Sequence, residues 1–179
     1  QHLWSRAFGS RGFEYGNGVS VDASGDLVVT GSFNDSIDFG GGVLATAGGP
    51  DVFLAKLSGT GGAHVWSRSF GGPWLDAGYA VVADAAGDAL LAGGYAAPID
   101  LGGGTIDGPG SFDIFIAKYA AADGSHLWSR GFGSPAFDLP GNLAVDASGN
   151  AIMAGYFMGA SDFGGVALMS AGSSDAFVT

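Results

Sequence analysis

The sequence predicts an all-β fold, a β-propeller built from four-stranded antiparallel blades, and three observations lead to it. A 62-residue pattern occurs three times without insertion or deletion. Glycine supplies 35 of the 179 residues with no collagen-like period, which is typical of tight turns between many short strands. Each repeat also contains four short segments that alternate in polarity or are rich in β-branched and aromatic residues, as strands are.

The repeat is marked by a histidine, tryptophan, serine and arginine motif that begins at His2, His64 and His126. A fixed spacing of this size indicates tandem copies of one supersecondary unit. Columns of aspartate and phenylalanine keep the same step. We therefore treat residues 1–179 as a single domain or a propeller segment. Its repeat units are 2–63, 64–125 and 126–179.

Four strands are predicted in the first full unit: Val19–Asp22, Leu27–Phe33, Asp51–Leu57 and His64–Phe70. The first two are separated by a glycine turn that predicts a hairpin, because glycine adopts the left-handed conformation and aspartate binds backbone amides ahead of it. Asp123-Gly124 indicates a second hairpin before the fourth strand. The 17 residues of 34–50 are too many for a bare turn, and we expect a flap or minor hairpin there.

The order of these strands suggests how the chain ends are used. The chain opens with the fourth-strand motif and closes after a third strand, so we expect the N-terminal strand 2–8 to complete a C-terminal blade. Three blades are too few for a closed ring, since propellers use four to eight. Two chains joined head to tail would give a homo-oligomer of six blades. The alternative is that these are consecutive blades of a larger propeller.

The repeat resembles the bacterial SBBP-type β-propeller repeat over essentially the whole chain. The resemblance rests on the segments 18–33, 37–41, 51–57 and 64–68. Pro140 departs from the pattern, since the other repeats have Gly16 and Gly78 at this position. The resemblance implies a propeller scaffold in a secreted or surface-anchored bacterial protein, with no general activity and no shared catalytic residues.

Composition excludes several classes of partner. Seventeen acidic against six basic residues give a net charge of −11, which would repel nucleic acid and anionic lipid surfaces. The chain has no cysteine, and hence no disulfide or thiolate metal site. No apolar stretch is long enough to span a bilayer, so no membrane insertion is expected.

The residues with reactive side chains mostly recur in every repeat, which favours a structural role over a single asymmetric active site. We expect Trp4, Trp66 and Trp128 to be structural, with Trp66 buried between adjacent blades, and His2, His64 and His126 to form turns or hydrogen bonds. Basic columns at Arg6, Arg68, Arg130, Lys56 and Lys118 are expected to pair with nearby acids. No catalytic motif of the common hydrolases, metalloproteases or P-loop enzymes occurs, so no enzyme is predicted.

Calcium is the one metal that the sequence suggests, and no other cofactor is expected. Oxygen-bearing side chains flank a glycine turn in each repeat, and such groups are calcium ligands. The same pattern also arises where an aspartate only caps a hairpin. The candidates are Asp22, Asp26, Asp84, Asp88, Asp146 and Asn150, with a second column at Asp38, Asp100 and Asp162.

Three hypotheses follow for function. The first is a non-enzymatic extracellular scaffold or interaction module with a protein or polysaccharide partner. The second is a glycan-binding, lectin-like propeller with pockets between blades, lined by Trp74 or the recurring aromatic residues. The third is a part of a larger secreted enzyme whose active site lies outside this segment.

Overall fold

The computed structural model describes residues 2–179 and consists entirely of β-strands, turns and loops. Residue 1 of the expected domain 1–179 lies outside the described residues. No helix that could cross a membrane occurs in the described part of the chain. The strands, in chain order, are β1 (Glu14–Val21), β2 (Leu27–Phe33), β3 (Ser36–Asp38), β4 (Val43–Ala45), β5 (Asp51–Leu57), β6 (His64–Phe70), β7 (Asp76–Ala83), β8 (Ala89–Tyr95), β9 (Ile99–Asp100), β10 (Thr105–Ile106), β11 (Asp113–Tyr119), β12 (His126–Phe132), β13 (Leu139–Val145), β14 (Ala151–Phe157), β15 (Ala160–Ser161), β16 (Leu168–Met169) and β17 (Asp175–Val178).

These strands form three main antiparallel sheets, one for each repeat. The first sheet has the order β1-β2-β5-β6, the second has β7-β8-β11-β12, and the third has β13-β14-β17. Three two-stranded hairpins, β3-β4, β9-β10 and β15-β16, accompany them. The all-β prediction is therefore confirmed, and all strand pairs within the sheets are antiparallel.

The turn at residues 22–26 shows why the first two strands form a hairpin. Gly25 has a φ of +84°, which glycine adopts without the steric penalty of a side chain. The Asp22 carboxylate accepts hydrogen bonds from the backbone amides of Ser24 at 2.8 Å and Asp26 at 3.0 Å. The same turn recurs at Gly87 and Gly149.

Strand β1 begins earlier than the predicted Val19. A register shift between Gly16 and Gly18 forms a β-bulge, and pairing with β2 continues beyond it to Glu14. A bulge places one extra residue in one strand, so it hides the strand from an alternation pattern. The other three predicted strands have the bounds that the sequence indicated.

The segment 34–50 forms the expected minor hairpin from β3 and β4. The Asp38 carboxylate accepts hydrogen bonds from the amides of Gly40 and Gly42 at its tip. Ile37 and Phe39 turn inward and are buried in the cluster on the outer face of the first sheet. This hairpin therefore covers part of a sheet face and is not a free loop.

The three sheets stack in chain order. Strand β7 contacts β1 and β2 of the first sheet and β13 of the third. One apolar cluster joins the first and second sheets, with Val28 and Leu54 packed against Phe115 and Tyr119. A second cluster joins the second and third sheets through Ile114, Met153 and Phe177. The second sheet is covered on both faces, whereas the first and third each have one open face.

The completion of a C-terminal blade by the N-terminal segment 2–8 stays a prediction, and the single chain shows this segment without a strand. Residues 2–10 belong to no strand, and they do not complete the third sheet, which has three strands. A strand needs a neighbour that supplies a ladder of backbone hydrogen bonds, and none lies beside this segment. The three sheets do not close a ring within residues 2–179.

Candidate functional site

The tryptophan column fastens each sheet to the next one. Trp66 of β6 donates its indole N–H to the carbonyl oxygen of Ala121, in the second sheet, at 3.1 Å. Arg68 donates from the same strand to the carbonyls of Asp123 and Gly124. The loop between β11 and β12 is thus the acceptor for the fourth strand of the preceding sheet.

The N-terminal segment makes the same contacts with the first sheet. Trp4 donates its indole N–H to the Gly59 carbonyl at 2.9 Å, and Arg6 donates to the Gly61 carbonyl at 2.9 Å. Phe8 packs on Phe39, with ring centroids 4.9 Å apart. Residues 4–8 therefore lie against the first sheet as β6 lies against the second.

The aspartates considered for calcium are engaged by lysines in two repeats. Lys56 Nζ lies 2.7 Å from the Asp22 carboxylate, and Lys118 Nζ lies 2.7 Å from Asp84 and 3.3 Å from Asp88. Burial acts to raise the pKa of Asp22, but the hydrogen bonds from Lys56 and two backbone amides hold it below its usual range. These carboxylates already have a cationic partner.

The remaining calcium candidates hold backbone turns. The Asp146 carboxylate accepts from the backbone amide and side-chain amide of Asn150 at 2.8 Å each. The Gly59 amide donates to Asp26 at 3.2 Å. Asp100 and Asp162 accept glycine amides at their hairpin tips, as Asp38 does. Within residues 2–179, no group of three or more histidine, aspartate or glutamate side chains is arranged to hold a metal ion.

Two of the three histidines make a local contact that repeats. His64 Nε2 lies 3.0 Å from Ser67 Oγ, and His126 Nε2 lies 3.0 Å from Ser129 Oγ. Their rings cover a glycine of the neighbouring hairpin so closely that a Cβ there would overlap the imidazole. The third histidine, His2, is exposed. The histidines are separated by one repeat each and form no common site.

The arginines differ from the expected pairing with acids. Arg6 and Arg68 donate to backbone carbonyls, and within residues 2–179 every ion pair is formed by Lys56 or Lys118. The physical reason is position, because Arg68 projects from the fourth strand of the first sheet onto the loop of the second, and Arg6 lies in the N-terminal segment against the loop of the first. The lysines project from the third strand onto the turn of their own sheet.

The open face of the first sheet is apolar. Val19 in β1 is 62% exposed, whereas Val81, the equivalent residue of the second sheet, is 7% exposed. The difference arises because Val81 packs on the preceding sheet and Val19 has no such sheet beside it. Val19 is therefore an apolar residue of the kind that is buried between two sheets, but here it lies on the surface.

The open face of the third sheet shows the same relationship. Ile152 in β14 is 41% exposed, whereas Leu90 at the equivalent position in the second sheet is 1% exposed. Val178 and Tyr156 are exposed beside it. Both ends of the stack consequently present side chains that are buried in the middle of the stack.

Buried aspartates stand at the starts of strands and were assigned no role by the sequence analysis. Burial raises the pKa of Asp51, Asp76 and Asp113 to about 6 each. The Asp76 amide donates to the Pro50 carbonyl at 2.8 Å, which brings Asp51 and Asp76 together at the junction of two sheets. Asp51 and Asp113 recur in one column of the repeat, which gave a signal, but burial could not be read from it.

Trp74, the tryptophan considered for glycan binding, is exposed and lies outside the repeat columns. It precedes β7 and packs beside Gly49 of the first repeat. The larger surface cavities lie elsewhere. One of about 420 Å³ lies between the second and third sheets, where Trp128 and Arg130 face Asn150 and Met153.

Comparison with protein family models gives no match to this chain, and comparison with curated proteins gives none either. The resemblance to the SBBP-type repeat thus has the chain's own residues as its support.

Proposed function

We propose that this chain is a non-enzymatic β-propeller module, secreted or displayed at a bacterial cell surface, that scaffolds or binds through its blades and assembles with a second copy of itself. The observation that carries the proposal is the pair of open faces. Each exposes apolar residues whose equivalents are buried in the second sheet. The cavity of about 420 Å³ beside Trp128, between the second and third sheets, is the feature that bears on the glycan-binding alternative.

The stacking of the sheets supports a propeller. The first strands of successive sheets, β1, β7 and β13, are neighbours, as the innermost strands of blades around an axis are. Asn17 donates to the Gly78 carbonyl at 2.9 Å, and the Ala83 amide donates to Ser20 Oγ at 3.0 Å. The first strand of each sheet is thus the place where neighbouring sheets approach most closely.

The N-terminal segment supports assembly with a second copy. Trp4 and Arg6 already lie against the first sheet as the fourth strand of a preceding blade would. Within residues 2–179 the third sheet has three strands, and β17 pairs only with β14. If the third sheet of one copy packs on the first sheet of another, segment 2–8 of the latter supplies the missing strand. Two copies related in this way form six four-stranded blades.

The side chains with chemical reactivity support a function without catalysis. His64 and His126 bind serines in their own strand, and Lys56 and Lys118 pair with aspartates that hold turns. Each of these contacts occurs in two of the three repeats at equivalent positions. A role in building blades accounts for them, and a single catalytic constellation does not.

The proposal is tested by measuring the mass of the full chain in solution by light scattering over a range of concentrations. We expect twice the chain mass of 17.7 kDa. The variant Val19→Asp places a charge on the open face of the first sheet, at a residue that is exposed in the single chain. It should therefore leave each chain folded and give a monomer.

Val43→Asp is the matched control. Val43 is as exposed as Val19, but its equivalent in the second sheet, Thr105, is exposed as well, so a neighbouring blade does not cover this position. This variant should keep the mass of the unaltered protein. A wild-type chain that stays monomeric at high concentration, or equal behaviour of the two variants, would contradict the assembly.

A further inference from the structure

Three departures from the repeat meet at one place in the second sheet. Tyr95, Asp107 and Gly131 differ in type from the residues 62 positions away, although most of the surrounding columns are kept. Their counterparts are Phe33 and Phe157, Ala45 and Met169, and Ser69. Packing alone needs none of these three changes. Because the three residues lie close together, we look for one cause that explains them all.

The first and third departures are coupled. The Tyr95 hydroxyl is buried and makes no hydrogen bond within residues 2–179. A Cβ at position 131 would lie 2.8 Å from this hydroxyl and 2.5 Å from Ile106 Cγ2. A serine like that of the first repeat would collide there, so Gly131 makes room for the added oxygen.

A buried carboxylate lies beside that hydroxyl. Asp113 is directly opposite Tyr95 in the pairing of β11 with β8. One of its oxygens accepts the Gly110 amide at 3.0 Å, while Oδ1 makes no hydrogen bond in the described chain. Oδ1 lies over Gly133 as the hydroxyl lies over Gly131. Residues two positions apart along an extended chain, such as 131 and 133, face the same side about 6–7 Å apart. The Tyr95 hydroxyl and Asp113 Oδ1 therefore lie on the same side of this chain segment.

These groups line a cavity of about 180 Å³ together with Asp107. Its other walls are Ala96, Ala97, Pro98, Gly108 and Gly110. No lysine, arginine or histidine lines it. Asp107 and Asp113 therefore share this space without a basic side chain beside them.

A buried carboxylate without a partner is costly unless a cation or a proton neutralises it. The first repeat shows the simpler arrangement, in which Asp51 is accompanied by Phe33 and Ala45. The second repeat adds oxygen atoms to the same spot, and added oxygen donors favour a hard cation over a proton. Calcium accepts irregular sets of carboxylate, carbonyl and water oxygens, whereas magnesium demands a near-ideal octahedron.

We propose that this cavity binds one calcium ion through the carboxylates of Asp107 and Asp113 and the surrounding backbone carbonyls. The Tyr95 hydroxyl donates a hydrogen bond to a coordinating carboxylate or to a coordinated water, so it positions the ligands. Asp107 is exposed at the mouth and gives the ion a path from solvent. This site is distinct from the aspartate turns at Asp22, Asp84 and Asp146.

The test is calorimetric titration of the metal-free full chain with calcium chloride, accompanied by terbium luminescence. We expect one site with a dissociation constant of about 0.1 to 1 mM, in the range of extracellular calcium modules. Asp107→Ala should weaken binding at least tenfold, and Tyr95→Phe several-fold. Both variants introduce residues that the first repeat has at the same positions, so the fold should persist, and thermal melts verify this.

Asp162→Ala, which removes an exposed carboxylate of the third repeat, is the control for charge and should bind calcium like the wild type. A gain-of-site variant, Phe33→Tyr with Ala45→Asp and Ser69→Gly, builds the same set around Asp51 and should raise the stoichiometry to two. Absence of calcium and terbium binding by the wild type would overturn the proposal. So would equal affinity of the wild type and Asp107→Ala, or a folded triple variant that still binds one ion.

Discussion

The carbonyl oxygen of Ala121 accepts the indole N–H of Trp66 at 3.1 Å, and Lys56 Nζ lies 3.3 Å from the same oxygen. Trp66 belongs to the fourth strand of the first sheet, whereas Ala121 lies in the loop before the fourth strand of the second. Lys56 also binds Asp22 in the turn of its own sheet. The Ala121 carbonyl therefore links the junction of the first and second sheets, through Lys56, to the β1–β2 hairpin of the first sheet.

Replacing Trp66 by alanine should lower the free energy of unfolding by about 3–5 kcal/mol, because the indole is buried between two sheets. Trp66 is 5% exposed, and Trp128 of the same column is 37% exposed, because within residues 2–179 the third sheet has no loop before a fourth strand to cover it. Trp128→Ala should therefore cost half as much or less. Urea unfolding of both variants at one low protein concentration makes the comparison, and equal losses would contradict a junction role for the column.

Replacing Lys56 by methionine should destabilise the chain by about 3 kcal/mol, because it leaves the Asp22 carboxylate buried without a cation. The pair is nearly inaccessible to solvent, whereas the Lys118 pair is partly exposed. Lys118→Met should consequently cost less. The double variant Lys56→Met with Asp22→Asn should recover part of the loss in urea unfolding, and a double variant no better than Lys56→Met would refute the interpretation.

The buried aspartates predict a fall in stability as the pH rises from about 4 to 7 in the presence of a chelator. The pKa values of Asp51, Asp76 and Asp113 are raised from 3.8 to about 6 in the folded chain. Their contribution is complete below pH 3.8 and is lost as the pH rises through 6. Asp22 and Asp84, whose pKa values are lowered, act oppositely, and their contribution is lost as the pH falls below 3.8.

Asp51→Asn tests this pH dependence, since the amide retains an acceptor for the Ala47 N–H but cannot ionise. We expect it to remove on the order of 1–3 kcal/mol of the decline between pH 4 and 7. Asp162→Asn, at an exposed carboxylate, should leave the profile unchanged. Melting temperatures across this range supply the measurement, and a steeper decline in Asp51→Asn would exclude the proposed cause.

Much of the fold could be predicted from the sequence because every element recurs. Three of the four strands of the first full unit have the predicted bounds, and the turn at Gly25 forms the expected hairpin. The start of β1 was missed because the bulge at Gly16 breaks the alternation. Segment 2–8 forms no strand within residues 2–179, because a strand needs a neighbour that supplies backbone hydrogen bonds, and its place in a C-terminal blade stays a prediction.

The candidate sites were harder to predict for a physical reason. Asp22 and Asp84 have the residue types of metal ligands, and only the coordinates show that Lys56 and Lys118 bind them. The Tyr95 cavity carried a signal in the sequence, namely a tyrosine in a phenylalanine column. Its meaning depends on Gly131, which lies 36 residues away in the chain and becomes a neighbour only when the sheet forms.

The four strands of the first sheet come from two sequence repeats, because β6 lies in the unit 64–125 and β1, β2 and β5 in the unit 2–63. Each unit therefore contributes covalently to two neighbouring sheets. A gene segment encoding 62 residues can be duplicated in phase from any starting codon, and the product gains one entire sheet together with one entire junction. Growth of such a protein by unequal recombination would consequently require no specially placed breakpoints.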